Sequence, residues 1–262
     1  MWRARRKKVG ARLGRSGLWL ACAAGLCGGW VRGERYVVLE TIGGGGAEIV
    51  AGDAALADVA ACPASTFKLV IALAVLEGGI AAPSERHVCH DVPGGNGRRE
   101  IDMREAMRCS SNEYFLWLAG RLRPEKIVGW AVRTRFVDGV VAGDWLGGDA
   151  SAVVRGGVLK VTARRLHGFT VRLMRGGLAS TPEVQLMLED VMSWPCPDPG
   201  AKVFGKTGAW GGAAWFTGFV ERGGARKATT VLVPYRVPDW RPARERAIGL
   251  FFERTGVARP SG

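Results

Sequence analysis

The chain has 262 residues, 47% of them hydrophobic and 23% charged, the balance of a globular protein with a real core, and it excludes intrinsic disorder. Its formal charge of +13 invites a nucleic-acid reading. Seven of those charges, Arg3, Arg5, Arg6, Lys7, Lys8, Arg12 and Arg15, sit at the very start with no acid among them, which leaves +6 for everything after. There Arg and Lys mix with Asp and Glu and form no basic stripe interleaved with aromatics, so no nucleic-acid partner is expected.

The basic start runs into Leu18-Trp-Leu-Ala-Cys-Ala-Ala-Gly-Leu26, an apolar stretch too short to span a bilayer. A basic segment, an apolar run and small residues together read as a secretory signal. Residues 1–33 are therefore expected to be a basic signal peptide or weak membrane anchor, and 34–262 the functional domain. That makes the protein exported, periplasmic or extracellular, with N-terminal membrane association as the alternative. Of six cysteines, Cys22 and Cys27 fall in this leader. Cys62, Cys89, Cys109 and Cys196 show no metal-finger spacing. His87-Val-Cys89-His90 reads as a solvated loop, because three ligands so close in sequence cannot all face one ion without a tailored turn. No metal is expected.

From Tyr36 to Val50 the pattern predicts a hairpin turning at Gly43–Gly46; with no Lys-Ser/Thr following, the glycines are a turn rather than a phosphate cradle. Cys62 to Glu77 predicts a helix, with Pro63 in its first turn and Gly78-Gly79 at its end. It is apolar almost all round and so should be buried centrally. Ile101 to Gly120 reads as helical with a break near Cys109-Ser110-Ser111-Asn112, and further helices are expected at Glu125–Arg133, Thr162–Met174 and Pro182–Met192. Strands follow at Ala201–Thr207, Ala214–Glu221 and Lys227–Val233, then a last helix from Arg241 to Thr255. The fold class is α+β: an antiparallel sheet built from N- and C-terminal strands and flanked by helices, with an inserted all-helical lobe.

Three short motifs carry chemistry. In Ser65-Thr-Phe-Lys68, a serine and a lysine one helical turn apart share a face. A serine hydroxyl attacks well only when a base takes its proton, and burying Lys68 in an apolar helix lowers its pKa so that the neutral amine is available. Ser110-Ser111-Asn112 supplies a hydroxyl at Ser110 that can relay a proton. Lys206-Thr207-Gly208, followed by Ala209, offers a cation, a hydroxyl and a position without a side chain, along which an acidic substrate can lie by strand addition. Singly each is weak; in this order and spacing they point to one class of serine acyl-enzyme. Trp215, beside the third motif, reads either as pocket wall or as sheet core.

In these motifs the chain resembles the penicillin-recognising enzymes, and in their surroundings the class D β-lactamases. Pro63 to Lys68 with Leu76-Glu-Gly-Gly-Ile80, Ile101 to Ser111, Gly205 to Gly208 with Trp215 to Glu221, and Arg241 to Ile248 are all similar to that family. The resemblance implies a β-lactamase/transpeptidase-like fold and acylation of Ser65 by a β-lactam or a peptidoglycan peptide. It implies Lys68 as general base, with a possible CO2 adduct and no other cofactor, and Ser110 as proton shuttle. Lys206 and Thr207 would hold substrate, with Arg244 as carboxylate partner (Arg241 and Arg246 lie near in sequence), and the backbone N–H groups of Ser65 and Ala209 would form the oxyanion hole. Three departures stand beside it. Asn112 replaces the family's usual valine, its Tyr-Gly-Asn element is absent near Phe136 to Gly139, and no tryptophan occupies Val153-Val154, though Trp145 lies nearby. Asn112, itself a candidate substrate-binding residue, suits one alternative, a penicillin-binding D,D-transpeptidase or carboxypeptidase, and the missing tryptophan motivates another, a penicillin sensor that stays acylated.

Overall fold

Every residue of Val37, Val38 and Leu39 is fully buried, although a strand turns successive side chains to opposite faces. Both faces of this sheet are covered. In the computed structural model, which describes residues 35–43, 48–93, 97–139 and 143–260, β1 (Val37–Ile42) and β2 (Ile49–Gly52) form the N-terminal hairpin. The C-terminal strands are β6 (Ala201–Trp210), β7 (Ala213–Arg222) and β8 (Ala225–Pro234). With the two-residue β5 (Ser193–Trp194), they make an antiparallel sheet ordered β2-β1-β8-β7-β6-β5. The predicted glycine turn and the predicted leader lie outside the described residues, apart from Gly43, which is a turn.

Alternation along the strands separates two cores. Val37, Leu39, Trp215, Phe219 and Leu232 face the helical lobe and α5 (Ala163–Met174). Val38, Phe216 and Val231 meet Ala247, Ile248 and Phe251 of α7 (Trp240–Thr255) on the other side. β7 lies between both layers and is buried from Ala213 to Val220, which is why its sequence reads as a continuous apolar run.

The lobe contains α1 (Lys68–Glu77), α2 (Met103–Cys109), α3 (Asn112–Ala119), α4 (Pro124–Arg133) and α6 (Pro182–Val191). Nine consecutive residues of α1, Lys68 to Leu76, are buried, as its all-round apolarity predicts. Two expectations are corrected. The nucleophile segment does not begin as α-helix: residues Ala64–Phe67 form a 3-10 turn, with Ala64 forced to φ 52°, and the α-helix starts only at Lys68. The lobe is also not all-helical. His87–Cys89 (β3) pairs with Arg99–Ile101 (β4), so the presumed loop around Cys89 is a strand with the cysteine turned inward.

Under the sheet, a chain of buried hydroxyls runs through one imidazole. His167 Nε2 lies 2.9 Å from Thr41 Oγ1 and Nδ1 lies 3.2 Å from Thr230 Oγ1, while Thr217 Oγ1 stands 2.7 Å from both Thr230 and Thr170. Burial holds the His167 pKa down at about 4 against an ordinary 6.5. The folded chain therefore keeps His167 neutral where an unfolded one takes up a proton. Its contribution is full above pH 6.5 and is lost as pH falls toward 4, about 3 kcal/mol in all. Denaturant midpoints should drop across that window in the wild type and less in His167→Gln; parallel pH curves would refute the assignment.

Candidate active site

Local packing explains how the strained Ala64 turn is held. Trp215 Nε1 donates to Cys62 O at 2.8 Å, Thr66 Oγ1 donates to Pro63 O at 2.6 Å, and Phe67 packs against Phe136 and Trp145 at centroid distances of 5.7 and 5.6 Å. Trp215 is thus sheet core that also ties down the nucleophile turn, not pocket wall. Gly156, at φ 84°, leaves room that a Cβ would deny, since that atom would lie 2.7 Å from Pro63. A non-glycine residue at positive φ stores about 1–3 kcal/mol of strain and persists only when its surroundings over-determine it. The outcome is a half-buried, accessible Ser65 beside a fully buried Lys68.

Lys68 Nζ lies 3.3 Å from Ser65 Oγ and donates to Ser110 O at 2.6 Å, Ser110 Oγ at 3.2 Å and Asn112 Oδ1 at 2.8 Å. Burial is the main reason its pKa falls from 10.5 to about 7, with the Arg155 charge acting the same way and Asp91 and Cys109 acting against it. An amine near neutrality, within a proton's reach of a hydroxyl, is poised as a general base. Ser110 closes α2 in the left-handed conformation, φ 62° and ψ 35°, and Ser111 caps α3 by accepting from Tyr114 N–H at 3.1 Å. The predicted break between the helices is therefore the turn that brings Ser110 and Asn112 to the lysine.

From β6, Lys206 Nζ donates to the same Ser110 Oγ at 2.8 Å. Lys206 is fully buried, and its pKa is pushed well below the usual lysine value, first by burial and then by the charges of Lys68 and Arg244. Ser110 Oγ accordingly bridges two amines, and a proton leaving Lys68 has a continuous path toward β6. Gly208 is required by closeness: a Cβ there would lie 3.1 Å from Pro63 O, Ser65 N and Thr66 Cγ2. This packing puts the β6 backbone against the Ser65 amide, with Thr207 buried and Ala209 half-buried.

Arg244 is half-buried on α7 and donates to Glu245 Oε1 at 3.2 Å. It is the arginine of its helix whose charge bears on Lys206; Arg241 stacks over Trp240 at 5.1 Å and Arg246 over Tyr36 at 5.7 Å. The histidines near Cys89 have other partners: His87 stacks on Trp117 at 4.4 Å, and His90 Nδ1 lies 3.1 Å from Glu113. Cys89, Asp91 and Glu113 bring ligand atoms within 4.8 Å of one another, but Asp91 Oδ1 and Oδ2 already accept from Ser111 Oγ and from Asn112 and Glu113 N–H. Sequence reasoning misses Asp91, a lone acid in a turn with no periodic or motif signal.

A carbamate on Lys68 fits this surrounding poorly. It would keep one N–H to share between two fixed acceptors, Ser110 O and Asn112 Oδ1, and would add two anionic oxygens beside them. A free amine meets the same acceptors with protons to give. Val153 and Val154 are core residues of a 3-10 turn, Ala150–Arg155, and Trp145, buried against Phe67, leaves its Nε1 without a hydrogen-bond partner.

The fold has close counterparts of low sequence identity. A class D β-lactamase, the BAT-2 delta mutant, superposes with a TM-score of 0.71 at 16% identity, over 87% of this chain and 94% of its own. YbXI, a class D β-lactamase from Nostoc, gives 0.69 at 20%, over 86% and 95%. FUS-1 (OXA-85), a class D β-lactamase from Fusobacterium nucleatum subsp. polymorphum, gives 0.70 at 19%, over 84% and 92%. No curated protein matches the sequence. The family model of the penicillin binding protein transpeptidase domain matches residues 53–241, a stretch that runs from the end of β2 to the start of α7 and takes in all three motifs. The chain belongs to that transpeptidase family, whose members are typically serine acyl-enzymes.

Proposed function

We propose that the protein is a class D-like serine β-lactamase that works with a free amine on Lys68. One observation carries the reading: the buried Lys68 amine stands 3.3 Å from Ser65 Oγ, with Ser110 Oγ bridging it to Lys206. In the reaction, Ser65 Oγ bonds to the β-lactam carbonyl carbon while its proton passes to Lys68. The ring C–N bond breaks, and the nitrogen takes a proton delivered through the Ser110 hydroxyl. Water then attacks the ester carbon and gives a proton to Lys68, the bond from that carbon to Ser65 Oγ breaks, and Lys68 returns the proton to Ser65 Oγ. Lys206, Thr207 and Arg244 hold the substrate carboxylate, and the N–H groups of Ser65 and Ala209 face the oxyanion. Alignment over 94 and 95% of the length of two class D structures supports the hydrolase reading, and the basic start followed by an apolar run supports export. Among the described residues, no helix is long and apolar enough to cross a membrane.

A second reading is favoured by Asn112, whose amide oxygen holds the Lys68 amine: a D,D-peptidase acting on D-alanyl-D-alanine peptides. Nitrocefin turnover, D-alanine release from a cell-wall pentapeptide and the lifetime of the Ser65 adduct by intact mass separate the cases. The expected result is nitrocefin turnover unchanged by added bicarbonate. A stoichiometric, lasting adduct without turnover would remove the hydrolase reading. Turnover stimulated by bicarbonate and lost in Trp145→Phe would instead mean that the unpaired indole holds a carbamate, and would overturn the free-amine base.

A further inference from the structure

Asp91 lies in the turn after β3, outside the three motifs, yet its carboxylate grips the second motif and the residue after it at three points. Ser111 Oγ donates to Oδ1 at 2.5 Å, and the backbone N–H groups of Asn112 and Glu113 donate to Oδ2, the latter at 3.2 Å. Those two amides are among the donors that a helix start leaves without intrahelical partners. Ser111 Oγ accepts from Tyr114 N–H at the same time, so one carboxylate fixes the whole first turn of α3.

The residue just before this turn is the strained one. Ser110 sits at φ 62°, and in that conformation both its carbonyl and its hydroxyl bond to Lys68. A left-handed serine costs of order 1 kcal/mol and stays there only if both sides hold it. Upstream, Ser111 N–H donates to Ala106 O at 3.0 Å and fastens the turn to α2. Downstream, the fastening is Asp91.

We propose that Asp91 is a positioning residue of the acylation machinery: it clamps the Ser110–Asn112 turn in its strained form and sets a negative charge within electrostatic reach of Lys68. The inference rests on the reading of Ser65 as nucleophile and Lys68 as base. The charged or titratable groups that bear on Lys68 are Asp91 from the β3 turn, Cys109 from α2, Arg155 from the 3-10 turn and Lys206 from β6. Of these, Asp91 is the carboxylate. It favours the protonated lysine and opposes the effect of burial, so removing its charge moves the Lys68 titration to lower pH.

The test is the rate of Ser65 labelling by a fluorescent penicillin as a function of pH, with a thermal melt to confirm folding. Asp91→Asn is expected to lower the alkaline plateau by about ten- to a hundredfold, as misplaced catalytic groups do, and to shift the acid limb to lower pH. Ser111→Ala and Asp91→Glu keep the charge; they should lose rate while leaving the acid limb in place. A purely structural role would reduce the plateau in Asp91→Asn without moving its midpoint, and that result overturns the proposal. Should Asp91→Asn not fold, undiminished rates in the other two variants overturn it instead. A wild-type chain that takes no label at any pH fails the acyl-enzyme reading itself; a labelled wild type with an unmoved Asp91→Asn profile fails only the present inference.

Discussion

Lys68→Ala is expected to lose about 10²–10⁴-fold in the rate of Ser65 acylation, the range that removal of a positioned general base produces. Among the described residues, the other amine at the site, on Lys206, bonds to Ser110 Oγ at 2.8 Å rather than to Ser65. Lys68→Arg should fail as well, because a guanidinium stays protonated and cannot accept the serine proton. In the wild type the rate should rise with pH through a midpoint near 7, since burial brings the Lys68 pKa to about 7 and only the neutral amine acts. Time courses of adduct mass after one equivalent of penicillin measure both effects. Acylation of Lys68→Ala within tenfold of wild type would show that another group activates the serine.

Lys206→Met is expected to part stability from activity. Lys206 is wholly buried and bonds to Ser110 Oγ, so burying its charge works against folding. Methionine fills a similar volume without the cost of desolvating a charge, so the variant should be at least as stable as the wild type. Acylation should nevertheless fall by roughly 10²–10³-fold, as when one electrostatic donor to the transition state is removed. Thermal melting and labelling rate on the same sample decide it. A destabilised variant of normal activity would mean that Lys206 serves the fold rather than the site.

The three motifs were legible because each is a short run with its own local signature. Ser65 and Lys68 lie one turn apart, Ser110 and Asn112 fall at a helix break, and Lys206 to Gly208 lie on a strand rich in β-formers. The central helix was legible from its unbroken apolarity, and the C-terminal strands from their glycine-bounded apolar runs. The 3-10 geometry of the nucleophile turn was not. Alanine rarely adopts positive φ, and what holds the turn there is the bond from Trp215 to Cys62 O and the space at Gly156, both remote in sequence. The hairpin of His87–Cys89 with Arg99–Ile101 was hidden as well, because three-residue strands leave too short a pattern to show a period.

The sequence alone determined which groups could do chemistry here and in what order the chain presents them, since residue type and near-neighbour spacing are local properties. Tertiary structure decided what those groups became. Burial made Lys68 a base near neutrality, and the pairing of β6 with β7 carried Lys206 to a hydroxyl 96 residues away in the chain. It also chose Asp91, an acid like any other in the sequence, to fasten the turn between them. The burial of Lys68 was already implied by the unbroken apolarity of its helix; the placing of Lys206 and Asp91 depends on contacts between distant segments, which no window of neighbouring residues encodes.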